Sequence, residues 1–157
     1  MDIKYLTVFT QHPSYSYKNG VVDVLQPITS EEITTLEISY NNGSRFPVVL
    51  TELLYLAGDY CYVLDYGNTD SQDDIQQTAR ELLTDNNQNI IRPFYVIDIY
   101  GASQFLFVYL DEGIDDPAIY EAQPYTKDNE LVRATGQTLL SLVNARVVRL
   151  LSGYSVF

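Results

Sequence analysis

The side chains best suited to chemistry are carboxylates gathered in two runs. Asp65, Asp70, Asp73 and Asp74 surround one loop and a helix start, while Asp111, Glu112, Asp115 and Asp116 crowd a second loop. Paired carboxylates serve glycoside hydrolysis, and clustered ones hold calcium or magnesium. A calcium loop needs ligands at alternate positions, a central glycine and a closing glutamate, an order that Asp65-Tyr66-Gly67-Asn68-Thr69-Asp70 does not reproduce. Asp73 and Asp74 also have a plain local task, since negative charge favours a helix N-terminus. Two main readings remain for these runs: solvated loops, or a face that binds another protein.

Other candidate chemistry is sparse. His12 is the only histidine, in a Pro/Ser/Tyr loop with no cysteine nearby, so neither a zinc site nor a Ser–His or Cys–His pair is indicated. Cys61 is the only cysteine. It has no internal disulfide partner and no neighbouring histidine or lysine to activate it, and reads as a buried structural thiol. Gly67 and Gly101 stand alone, so no glycine-rich phosphate cradle is present. Arg146 and Arg149 lie three apart on an apolar segment, able to snorkel from its edge or to pair with the acidic loops. No catalytic residue, cofactor or metal site is expected.

Charge narrows the partners. A net charge of −12 and a pI near 4.2 argue against nucleic acid and against an anionic membrane surface. They suit either plain solubility or a basic protein partner. Fourteen tyrosines and no tryptophan fit sheet faces, core edges and interfaces. No basic start leads into an apolar core, and no apolar run approaches ~20 residues, so a cytoplasmic location is expected.

The elements that must position these groups centre on Phe46 to Gly67. Pro47 suits a first helical turn. Phe46, Leu50, Leu53, Leu54 and Ala57 recur at three- and four-residue steps, and Gly58 is placed to close the helix in the left-handed conformation. Tyr60 to Tyr66 reads as a buried strand holding Cys61. Before this unit, Ile3 to Phe9 alternates as a strand, His12 to Gly20 is a loop, and Val21 to Leu25 is a short strand. Thr29 and Glu32 form a capping box for a helix to about Tyr40, with Ile28 and Ile33 as its staple. Beyond it, Ser71 with Asp74 opens a helix carrying Ile75, Ala79, Leu82 and Leu83. Phe94 to Tyr100 and Gln104 to Asp111 make a hairpin around Gly101-Ala102-Ser103, and Ala118 to Ala122 returns as a strand. The last segment, about Asp128 to Leu151, is helical in pattern, with Gly136 able to divide it and Gly153 as its stop. The order ββααβαββ(β)α is an α+β layout: a mostly antiparallel sheet with three to four helices on one side. The whole chain, 1–157, reads as one domain, with 1–26 as an N-terminal β extension.

A capped helix, a short linker, Phe46-Pro47 opening Val48-Val49-Leu50-Thr51-Glu52-Leu53-Leu54-Tyr55-Leu56-Ala57-Gly58, and then a strand resembles the SUKH superfamily. This superfamily is also called Smi/Knr-like, after a fungal regulator of cell-wall synthesis. Phe94 to Leu110, followed by Asp115-Asp116-Pro117 and a closing helix, is similar to its later part, so the resemblance covers roughly 27–153. Phe46 stands where the family usually has leucine, and the family's frequent tryptophan is missing. The resemblance implies a non-catalytic protein-binding domain. Its bacterial form is an immunity protein that binds and occludes a cognate toxin, often a basic nuclease; the alternative is a scaffold or regulator without a toxin partner. On the immunity reading, Asp70, Asp73, Asp74, Asp111, Glu112, Asp115 and Asp116 form the contact edge, and Tyr66 and Tyr120 anchor it.

Overall fold

Helix starts at Thr29, Ser71 and Thr138 are written in local side-chain chemistry. Thr29 Oγ1 accepts from the Glu32 N–H at 3.2 Å, and Glu32 Oε2 accepts from the Thr29 N–H at 2.7 Å. That reciprocal box opens α2 (Ser30–Asn41). Ser71 Oγ accepts from the Asp74 N–H at 3.1 Å and opens α4 (Gln72–Asp85). Between them runs α3 (Val48–Ala57), with Pro47 one residue ahead of it as the N-cap. The computed structural model describes residues 1–101, 103–126 and 130–156. Ala102 in the hairpin turn and Asp128, the expected start of the last helix, lie outside the described residues.

The remaining elements are α1 (Thr7–Gln11), β1 (Ser14–Ser16), β2 (Val22–Val24), β3 (Phe94–Tyr100), β4 (Gln104–Tyr109), β5 (Ala118–Ala122), β6 (Val132–Thr138) and α5 (Leu139–Leu151). β1 and β2 form a separate hairpin, and the main sheet runs β3-β4-β5-β6, antiparallel throughout. The fold is α+β, as expected. Its layering differs from the expectation. Tyr95, Ile97, Leu106, Val108 and Ile119 join α2, α3 and α5 in one core, whereas Phe94, Val96, Phe105, Phe107 and Ala122 join Ile75, Ala79 and Leu83 of α4 in another. Helices therefore cover both faces of the sheet rather than one. No helix among the described residues is long and apolar enough to cross a membrane.

Four segments depart from the pattern expected of them, the first being His12 to Gly20, expected as a loop, in which Ser14–Ser16 pairs as a strand with β2. Ile3 to Phe9 is not a strand: Thr7 onward is helical, and Leu6 and Phe9, three apart, both point into the core. Alternation would set Leu6 and Phe9 on opposite faces, whereas the i, i+3 spacing of a helical turn brings both to the core. Tyr60 to Tyr66 is a buried turn rather than a strand, tied to Gln26 by one β-bridge at Tyr60. Val132 to Thr138 is the outer strand of the sheet, not helix, and only from Leu139 does the helical pattern hold. That strand is mostly exposed, so it lacks the apolar alternation that would mark it. Its pairing breaks between Ala134 and Thr138, where Gly136 adopts φ +80°, and this bulge blunts an otherwise open edge.

The opposite edge is closed by side chains. Gln76 Nε2 donates to the Val96 carbonyl and Gln76 Oε1 accepts from the Val96 N–H, both at 2.9 Å, as a neighbouring strand would. Arg80 adds a bond to the Phe94 carbonyl at 3.2 Å.

Gly58 ends α3 for a reason other than the expected left-handed turn. Its φ is −71°, open to any residue. What demands glycine is space: an added Cβ would stand 2.5 Å from the Leu54 carbonyl oxygen and 2.8 Å from Ile28 Cγ1. The same carbonyl accepts from both the Gly58 and Ile28 N–H groups, which fixes the crowding. Gly58→Ala is expected to destabilise the fold by about 1–3 kcal/mol through overpacking, read as a lower urea midpoint at unchanged m-value.

Candidate functional site

The structure separates the two acidic runs. Gln72, at the start of α4, donates from Nε2 to the Gly58 carbonyl at 2.7 Å, tying the first run to the C-terminal end of α3. The Asp115 carbonyl accepts from the Val49 N–H at 3.0 Å, tying the second to the N-terminal end. About 15 Å of helix lies between the two attachments.

The second run is largely committed to internal contacts. Asp111 takes a two-pronged bond from Arg92, at 2.5 and 3.1 Å. That guanidinium, which also lies over the Tyr109 ring, holds the exposed Asp111 carboxyl below the usual range. Glu112 accepts from the Tyr120 hydroxyl at 3.1 Å and faces Arg92 at 3.7 Å. Asp115 accepts from the Tyr5 hydroxyl at 3.0 Å, and Asp116 accepts from the Leu140 N–H at 2.9 Å, in the first turn of α5. Tyr120 is half-buried against Phe107 and Tyr109.

The first run borders a groove. Asp70 and Asp73 line it together with Glu32 of α2 and Asp59, and Ile28 and Leu36 supply apolar surface. Asp73 accepts from the Tyr40 hydroxyl at 2.5 Å, and Asp74 takes the Ser71 hydroxyl at 2.9 Å. Arg80 is stacked between the Tyr40 and Phe94 rings, 4.6 and 4.4 Å from their centroids. Tyr66 is half-buried, its hydroxyl donating to the Ala57 carbonyl at 2.9 Å.

Ion pairing sharpens the contrast. Among the described residues, Glu37, Asp98, Asp111, Glu112 and Glu121 are the acids paired with arginine. None of the groove carboxylates is among them. Sequence reasoning saw Glu32 only as a helix cap, Ile28 as its staple and Leu36 as an inward residue of the same helix, and passed over Asp59. The groove is assembled from three separated segments, and its one legible signal was the absence of lysine and arginine between Lys18 and Arg45 and between Arg45 and Arg80.

Three further carboxylates are buried and serve the fold. Glu52 accepts from the N–H groups of Lys4, Tyr5 and Leu6 at 2.7, 3.0 and 2.8 Å. Glu37 accepts from the Phe46 N–H at 2.9 Å and from Arg45 at 3.1 Å. Asp98, fully buried, pairs with Arg146 of α5 and accepts from the Asp65 N–H at 2.8 Å. Arg146 is thus a core residue, bonded also to Tyr100 and to the Val63 carbonyl, and not an edge cation reaching for the acidic loops. Arg149 is exposed and bonds the Ser155 carbonyl beyond the helix end. Burial pushes the Cys61 thiol up to about 12, so it stays protonated and unreactive at neutral pH. No group of three or more His, Cys, Asp or Glu able to hold a metal ion occurs among the described residues.

Compared with known protein families, curated proteins and solved structures, the chain matches none of them.

Proposed function

We propose that this chain is a non-catalytic binding domain that takes a basic segment of a partner protein into the groove between α2 and the start of α4. In the form suggested by its SUKH-like helical unit, it is a cytoplasmic immunity protein that occludes a basic toxin. The observation that carries this reading is the set of carboxylates at Glu32, Asp59, Asp70 and Asp73, which face apolar Ile28 and Leu36 and have no arginine or lysine paired to them among the described residues. Negative charge beside apolar surface attracts a cationic, partly hydrophobic chain and speeds its encounter. The contact edge is accordingly narrower than the sequence suggests, with the run from Asp111 to Asp116 left to hold loops and cap α5.

The test compares equal changes of charge at two places. The chain is co-expressed with the product of its neighbouring gene, and association is followed against ionic strength. Asp59→Lys with Asp70→Lys is expected to lower the association rate at least about tenfold at low salt and to flatten its salt dependence. Glu81→Lys with Asp85→Lys, far along α4, is expected to change the rate much less. Equal slowing by both pairs means that only net charge acts, and the groove is not the site.

A further inference from the structure

Next to the groove lies a cavity of about 400 Å³, whose lining includes Tyr17, Tyr60, Tyr62 and Tyr66 with Asp59 and Asp65. Asp59 borders both spaces, so the two adjoin there. The hydroxyls of Tyr62 and Tyr66 are committed to the carbonyls of His12 and Ala57, at 2.6 and 2.9 Å. Tyr62 is only 5% exposed and packs on Phe9 and Tyr15, so the ring surface open to an occupant comes from Tyr17, Tyr60 and Tyr66. Tyr60 is 37% exposed, and Asp23, inward-facing on β2, stands beside the hydroxyls of Tyr17 and Tyr60. Neither Asp59 nor Asp65 is ion-paired among the described residues.

We propose that this tyrosine-walled cavity receives an arginine side chain of the partner, an inference that rests on the groove reading above. Aromatic faces carry negative potential and attract cations, most strongly where water is thinned out. A guanidinium is flat, stacks on tyrosine rings and donates to carboxylates through a fixed fork, whereas an ammonium uses the rings less fully. A neutral apolar occupant would desolvate Asp59 and Asp65 without compensation, and an anion would be repelled by them. The volume lies within the range of ordinary ligand sites. The cavity thus supplies the specific anchor that diffuse acidity in the groove lacks.

The experiment titrates the ¹⁵N-labelled full chain with N-acetyl-arginine methylamide and with its neutral isostere N-acetyl-citrulline methylamide. Saturable amide shifts are expected over residues 59–69 with the arginine probe, and binding at least about fivefold weaker with citrulline. Tyr60→Ala and Asp59→Asn should each weaken arginine binding by about fivefold while leaving the melting temperature unchanged, and Tyr60→Phe should retain it because the ring survives. Equal binding of the two probes, non-saturating shifts across the acidic surface, or indifference to Tyr60→Ala and Asp59→Asn would each overturn the proposal. The two readings fail separately. If Asp70→Lys slows the natural partner but Tyr60→Ala leaves its affinity unchanged, the groove stands without the anchor. If arginine fills the cavity but the partner ignores the groove variants, the cavity binds a cation and the groove reading is lost.

Discussion

Asp98→Ala is expected to cost about 3–5 kcal/mol, because it takes the paired carboxylate away from a largely buried guanidinium. Asp98 has 0% exposure and Arg146 only 9%. The pair does more than neutralise itself. Asp98 accepts from the Asp65 N–H and Arg146 donates to the Val63 carbonyl, both at 2.8 Å, so together they clasp the turn between α3 and α4 against β3 and α5. A β-bulge makes this geometry available. The β3–β4 register shifts between Val96 and Asp98, and the extra residue turns Asp98 away from the aromatic face of Phe94 and Val96 toward α5. For a chain of this size a loss of that order lowers the melting temperature by about 10 °C. The double variant Asp98→Leu with Arg146→Met should recover much of the loss, since a buried pair is worth little against apolar isosteres while one orphaned partner is costly. A single-variant cost below about 1 kcal/mol would place the clasp elsewhere.

Glu52→Ala is expected to release the N-terminal segment, at a cost of about 2–4 kcal/mol, a figure kept below three full charged hydrogen bonds because the freed amides regain water. Glu52 is 1% exposed and stands in mid-α3, holding three successive backbone N–H groups from residues 46 to 48 positions away. Leu6 and Phe9, beside that bond set, fill the core. Glu52→Gln keeps one acceptor oxygen and the shape, and should fall between. Amide exchange provides the reading: protection at Lys4, Tyr5 and Leu6 should vanish in Glu52→Ala while β3 and β4 stay protected. Retained protection at those three amides would mean that burial of Leu6 and Phe9 alone holds the segment.

These two carboxylates also mark where sequence reading stopped. Short-range devices were legible: the Thr29–Glu32 box, the Ser71 cap and the apolar hairpin of β3 and β4 each depend on residues a few positions apart. Glu52, by contrast, looked like one more polar residue on the outward side of a helix, and its partners lie at the far end of the chain. Asp98 sits within a nearly continuous apolar run whose alternation gives no warning of a bulge. Tyr60 to Tyr66 has strand composition, yet part of what its backbone meets is the Asp98 and Arg146 side chains, so burial and aromatic content misled. The acidic runs were visible from the start. Which run would hold an arginine was not, because Arg92 had first to be placed beside Asp111 and Glu112.

The claim that the molecule acts through the α2–α4 groove is tested most directly by mapping amide shifts on binding the neighbouring gene's product. Perturbations are predicted to concentrate on α2, on residues 59–69 and on the first turn of α4, and to fade when Asp59 and Asp70 are reversed in charge. Shifts centred on Asp111 to Asp116 instead, or unchanged by that reversal, would contradict it.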